Sequence, residues 1–133
     1  VQTCALPIYV SECTGDNIFA IRDGVLYTPP SDAGILEGIT RRFIIDTVAP
    51  ECGYTVEERM MRPIELLEAD EIFLTGSAAE MIAVTAIIAP DAAGEDFEHV
   101  IGPDKSVKTE GPITKTLRTK FREIVTGDDV PED

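Results

Sequence analysis

The chain is short of bases. Lysine and arginine number 11 against 25 aspartates and glutamates, for a net charge of −14. Phosphate backbones are bound by clustered basic residues, so nucleic acid is not expected as a partner, and the acidity reads as a solubility feature. No run of 18 apolar residues occurs, so no membrane-spanning helix is expected. Cysteine is scarce: Cys4, Cys13 and Cys52 show no metal-ligand spacing, and their odd number fits a reducing, cytoplasmic setting rather than a disulfide framework. The single histidine, His99, stands in a polar stretch and reads as a surface residue. With no histidine near them in sequence, Cys13 and Cys52 read as packing residues rather than nucleophiles. What remains is a chain of 133 residues, 44% hydrophobic, enough for one domain with a packed core and without internal repeats.

Taken in order, residues 9–12 read as a strand that ends in a polar turn at Thr14-Gly15-Asp16. Over residues 17–22, Ile18 and Ala20 alternate with Phe19 and Ile21, so this strand is expected to be covered on both faces. Asp23-Gly24 is a two-residue hairpin signal, residues 25–28 form the return strand, and Pro29-Pro30 stops it. A helix is expected from Ile39 to about Ala49, with Ile39, Phe43, Ile44 and Val48 as its apolar stripe. Pro50 would clash with the Asp46 carbonyl, so the helix should end or kink at Ala49, and Gly53 completes the stop. A strand over 54–60, a short helix over 64–69 behind Pro63, a buried strand over 71–75 and a β-forming run over 81–88 follow. Residues 90–108 are acidic and marked by glycine and proline; they read as a loop with a loose hairpin around Gly102-Pro103. Gly111-Pro112 opens a last helix over 113–125, with Leu117, Phe121, Ile124 and Val125 inward and Gly127 as its stop. Strands alternating with helices indicate the α/β class.

Three stretches carry possible chemistry. In Leu36-Glu37-Gly38-Ile39-Thr40-Arg41 a loop turns into a helix. The first N–H groups of a helix have no intrahelical partner, so those of Ile39 and Thr40, with the Thr40 hydroxyl, can hold a phosphate. The same pattern also suits an ordinary helix start with water at its end. Leu36 can press on a ring face or simply join the core. Of Arg41 and Arg42, one can join the anion network, or both can be solvated. Glu12, at a strand end beside a glycine turn, can hold a proton on a heteroaromatic nitrogen; it also reads as a solvated turn glutamate. Thr75-Gly76-Ser77-Ala78 offers small residues, hydroxyls and free N–H groups at a strand end, which suits a phosphate cage or a tight turn.

Read together, these stretches resemble the PLP-dependent aminotransferases of fold type IV, and among them the branched-chain amino acid aminotransferases. Tyr-Val-Ser-Glu-X-X-Gly-X-Asn-Ile-Phe, Asp-Gly-Val-Leu-Tyr-Thr-Pro, Leu-X-Gly-Ile-Thr-Arg, Ala-Asp-Glu-Ile-Phe-Leu-Thr-Gly and Gly-Pro-Ile-Thr-Lys occur in family order across residues 9–127. The resemblance implies a mixed-sheet α/β domain like the C-terminal domain of these enzymes, truncated at its N-terminus. It implies that Glu12 pairs with the pyridine nitrogen of pyridoxal 5′-phosphate and that Leu36 packs on the ring. Gly38, Ile39 and Thr40 would bind the phosphate with Ser77, and the Ala78 N–H would hold the substrate carboxylate. It further implies amino acid and 2-oxo acid substrates, transfer from L-leucine, isoleucine or valine to 2-oxoglutarate by a ping-pong route through pyridoxamine phosphate, and a homodimer or larger homo-oligomer. Aminodeoxychorismate lyases and the D-amino acid and R-selective amine transaminases share the fold and stand as alternatives, as does a non-catalytic domain that binds a phosphate-bearing ligand. Glu37 stands where many members have proline, and Ser77 where threonine is common. The family's Schiff-base lysine lies upstream of the Ser-Glu block, and no lysine precedes Glu12 here. No catalytic residue is therefore assigned, and the chain by itself is expected to be inactive.

Two ends stand apart. Residues 2–8, Gln-Thr-Cys-Ala-Leu-Pro-Ile, match a translation of CAG-ACG-TGT-GCT-CTT-CCG-ATC, which resembles a common sequencing adapter. Residues 1–8 are therefore expected to be a foreign leader, with the domain itself over 9–127; an ordinary N-terminal strand is the other reading. Residues 128–133 contain four acids in six and are expected to form a disordered tail.

Overall fold

The computed structural model describes residues 2–5, 12–13, 16–30, 38–76, 81–90, 93–102 and 110–126. Among these, eight strands share one mixed sheet: β1 (Gln2–Ala5), β2 (Glu12–Cys13), β3 (Asp16–Arg22), β4 (Val25–Thr28), β5 (Thr55–Glu58), β6 (Glu71–Thr75), β7 (Met81–Pro90) and β8 (Asp96–Val100). Their order is β1-β7-β6-β3-β4-β5, with β2 beside the start of β3 and β8 beside the end of β7. The pairs β1·β7 and β4·β5 are parallel and the others antiparallel. This is the expected α/β class. β1 falls within the segment expected to be foreign; an open sheet edge accepts any extended segment. No helix among the described residues is long and apolar enough to cross a membrane.

The alternation read in residues 17–22 is the axis of the packing. Ile18 and Ala20 face one core with Ile72, Leu74 and Leu66, while Phe19 and Ile21 face the other with Leu26, Phe73, Val48 and Leu117. Phe19 and Phe73 stack across β3 and β6 with ring centroids 4.8 Å apart and planes 8° from parallel. The hairpin at Asp23-Gly24 has both central residues at positive φ, +52° and +77°, as a turn matching the twist of its strands requires. Asp70 steadies it from the next chain segment: its carboxylate accepts the Asp23 N–H at 3.0 Å, and its own N–H donates to the Ile21 carbonyl at 2.8 Å.

The helical stretch after residue 38 is irregular on its way to Pro50. It runs as α1 (Ile39–Phe43), a π-helical turn (Ile44–Val48) and α2 (Ala49–Glu51). The irregularity lies in the turn before the proline, and the helix ends at Glu51, within two residues of the expected stop at Ala49. The Ala49 N–H bonds five residues back to the Ile44 carbonyl, a widened turn of the kind that absorbs a missing donor. The stop at Gly53 is as read: at φ +82° it lets Tyr54 N–H reach the Ala49 carbonyl at 2.9 Å and its own N–H reach Pro50 at 3.0 Å, a Schellman cap. Ile39 does not join the apolar stripe; it is 91% exposed, while Thr40 and Arg41 beside it are buried.

Three further expectations change. Part of the acidic region is a strand rather than a loop: β8 pairs antiparallel with β7 from Pro90↔Asp96 onward, and Gly94 between them takes φ +81°; the hairpin expected around Gly102-Pro103 falls partly outside the described residues. His99 consequently lies on a strand, half-buried opposite Ile87, rather than in a loop. Val125 points outward, since Phe121 and Ile124 are the last residues of α4 (Pro112–Thr126) to reach the core.

The remaining helices cover the two faces. The short α3 (Pro63–Leu67) places Leu66 in the first core. The long α4 packs Leu117 and Phe121 in the second, where Phe121 meets Phe43 edge-on at 5.7 Å. The start of α4 is fastened by Glu71, the lone acid of the wholly buried β6. Its two carboxylate oxygens accept the N–H groups of Ile113 (3.0 Å) and Thr114 (2.7 Å). A carboxylate at a helix N-terminus answers both the free N–H groups and the helix dipole. Gly111 is required here, because a Cβ at that position would overlap the Glu71 side chain.

Candidate functional site

The register of the sheet brings the three chemically suggestive stretches to one end of it. Glu12 pairs with Asn17, Asn17 with Thr75, and Thr75 with Met81, so a single row crosses β2, β3, β6 and β7. Side chains two residues apart on a strand share a face. Asn17 therefore lies on the face of Phe19, and Thr75 on the face of Phe73, the face that carries α1 and α4.

Asn17 also joins the third stretch to this row. Its Oδ1 accepts the Gly38 N–H at 3.0 Å. Gly38 is the N-cap of α1, extended at φ −82° and ψ 155°. A Cβ there would sit 3.1 Å from the same oxygen, so glycine keeps the contact close. The Arg42 N–H returns to the Gly38 carbonyl at 3.3 Å and closes the first turn. The N–H groups of Ile39 and Thr40 then have no intrahelical acceptor. Thr40 is buried beside them, at 8% exposure.

Arg41 is not solvated; its guanidinium is turned to groups of the protein. Its guanidinium is wholly buried and donates at 2.7 Å to both the Pro29 carbonyl and the Glu58 carboxylate. Arg42 is the solvated one of the two, near Asp46 at 3.5 Å and Glu58 at 3.8 Å. The first turn of α1 is therefore tied to three successive strands: to β3 through Asn17, to the end of β4 through Pro29, and to β5 through Glu58. A buried charge is retained only where it is paired and hydrogen-bonded, and here it fixes the helix start against the sheet.

Of the residues expected at the site, Gly38, Ile39 and Thr40 form the start of α1, and Glu12 pairs through its backbone with Asn17. Leu36, Ser77 and Ala78 lie outside the described residues. Thr75 belongs to a stretch that stands out for its hydroxyls, whereas the sequence assigns Asn17 no role. Asn17 offers one signal, a lone amide at the head of an apolar strand. Cys52 is half-buried and free, as its packing role implies. Burial pushes its thiol above the ordinary range; Lys120 opposes this, while Glu51 and Glu123 add to it.

Known proteins share this sequence and this arrangement of strands and helices. The family model for class IV amino-transferases matches residues 7–87. The branched-chain-amino-acid aminotransferase of Escherichia coli K12 is 36% identical over 120 residues, which cover 90% of this chain and 34% of that protein. The crystal structure of the Escherichia coli branched-chain aminotransferase superposes with a TM-score of 0.74 at 35% identity, covering 95% of this chain and 36% of that one. The branched-chain aminotransferase of Thermobaculum terrenum, in its PLP-bound holo-form, gives a TM-score of 0.74 at 38% identity, over 92% of this chain and 36% of that one. The chain thus spans about a third of the length of these relatives.

Proposed function

The chain belongs to the class IV aminotransferases, and from that premise we propose that it is part of a pyridoxal-phosphate-dependent branched-chain aminotransferase. The intact protein would move the amino group of L-leucine, isoleucine or valine to 2-oxoglutarate. The observation that carries the reading is the joining of the three stretches at one end of the sheet, with Asn17 bonded to Gly38 and paired with both Glu12 and Thr75.

The residues present suit the cofactor. A close-fitting Gly38, helix-start N–H groups at Ile39 and Thr40, and buried hydroxyl-bearing residues on two sides form a donor set for a phosphate. In this reading Ile39, Thr40 and Ser77 hold the phosphate, Leu36 packs on the ring, and Ala78 offers its N–H to the substrate carboxylate. Glu12 keeps a proton on the pyridine nitrogen. When bound, the cofactor supplies an electron sink as the substrate's α-proton leaves. The lysine that moves this proton is not among the residues before Glu12, so the chain alone would be inactive and the intact protein, read as a homodimer or larger homo-oligomer, would supply it.

The test is an absorbance spectrum of the full-length protein with pyridoxal phosphate. A cofactor band that is bleached by leucine and restored by 2-oxoglutarate is expected. A protein that gives no band, or that releases pyruvate from aminodeoxychorismate without an amino acceptor, would overturn the reading.

A further inference from the structure

We propose that the Thr75 hydroxyl is a donor to the phosphate group at the start of α1, reaching it from β6. The proposal rests on the reading that this site takes a phosphate-bearing cofactor. Thr75 is 3% exposed, and its hydroxyl has no hydrogen-bond partner among the described residues. A hydroxyl taken out of water without a partner is unfavourable, so a ligand that supplies an acceptor gains by meeting it.

Position selects this threonine over others. The hydroxyls of Thr85 and Thr114 are also buried without a partner among the described residues. Thr75 alone of the three is the cross-strand partner of Asn17, whose amide oxygen already holds the N-cap of α1. Cross-strand partners present their side chains side by side on one face. The Thr75 hydroxyl and the helix-start N–H groups of α1 therefore belong to one neighbourhood, reached from the helix and from the strand. The hydroxyl donates its proton to an anionic oxygen; no covalent change is involved.

The test is equilibrium titration of the full-length apoprotein with pyridoxal phosphate and, separately, with pyridoxal, which lacks the phosphate. Thr75→Val removes the hydroxyl and keeps the shape; Thr75→Ser keeps the hydroxyl. Thr75→Val is expected to weaken pyridoxal phosphate about tenfold or more and to leave pyridoxal unchanged, while Thr75→Ser retains the wild-type affinity. If Thr75→Val binds both ligands as the wild type does, or loses both equally, the hydroxyl does not serve the phosphate and the proposal falls. If Thr75→Val does not fold, Thr75→Ala is read by the same criteria. A wild-type protein that binds the two ligands equally would instead sink the cofactor reading itself, and this proposal with it.

Discussion

Replacing Gly111 with alanine should be costly, although nothing in its backbone forbids a side chain. The obstacle is Glu71. A methyl at 111 overlaps its side chain, so the carboxylate must leave the start of α4 and release the N–H groups of Ile113 and Thr114. Hydrogen bonds to a charged group contribute about 1.5–3 kcal/mol each, so losing both costs about 3–6 kcal/mol. Reduced freedom of the unfolded chain returns up to about 1 kcal/mol, leaving about 2–6 kcal/mol. Reversible denaturation of wild type, Gly111→Ala, Glu71→Ala and the double variant closes a thermodynamic cycle. Once Glu71 is alanine, the added methyl no longer meets the carboxylate, and Gly111→Ala should then cost less than about 0.5 kcal/mol. Equal costs with and without the Glu71 side chain would refute the reasoning.

Other outcomes follow from the same contacts. Asn17→Ala should lower stability by about 1–2 kcal/mol through the lost Gly38 contact. Asn17→Asp keeps the acceptor but places a negative charge beside the helix start, so it should weaken pyridoxal phosphate in a binding titration; unchanged affinity would contradict the site. Arg41→Met leaves the Pro29 carbonyl without its partner and Glu58 with only the exposed Arg42 at 3.8 Å; because Glu58 is also about one-third exposed, the loss should fall near the low end for a broken buried pair, about 3 kcal/mol in chemical denaturation. Burial raises the Cys52 thiol, so the folded protein holds this proton more tightly than the unfolded chain. Its contribution to stability is complete below the unfolded pKa and is lost as pH rises through the folded one. Alkylation of Cys52, followed by peptide mapping, should be slower than that of a free thiol at neutral pH and accelerate only in alkali.

Much of the fold was legible because it depends on neighbours in sequence. The alternation of Ile18, Phe19, Ala20 and Ile21 specifies a strand with two covered faces, and Asp23-Gly24 specifies the turn that follows, since both act through backbone preferences over a few residues. The acidic stretch misled for the same reason: β8 is an edge strand, and its pairing with β7 lends it an order that Asp96, Glu98 and His99 do not signal. Pro50 signalled a helix end nearby, but not that the preceding turn would widen to absorb its missing donor.

The candidate site divides along the same line. By itself the sequence determined the family blocks, the helix start at Gly38 and the small, hydroxyl-bearing end of β6, because each is local chemistry. Only the tertiary structure decided that Asn17 links these pieces, that Arg41 is buried against Pro29 and Glu58, and that Glu71 caps a helix 42 residues further on. Those assignments depend on which distant groups are brought within hydrogen-bonding distance, and an unpaired buried charge or N–H is costly enough that the fold must supply each partner.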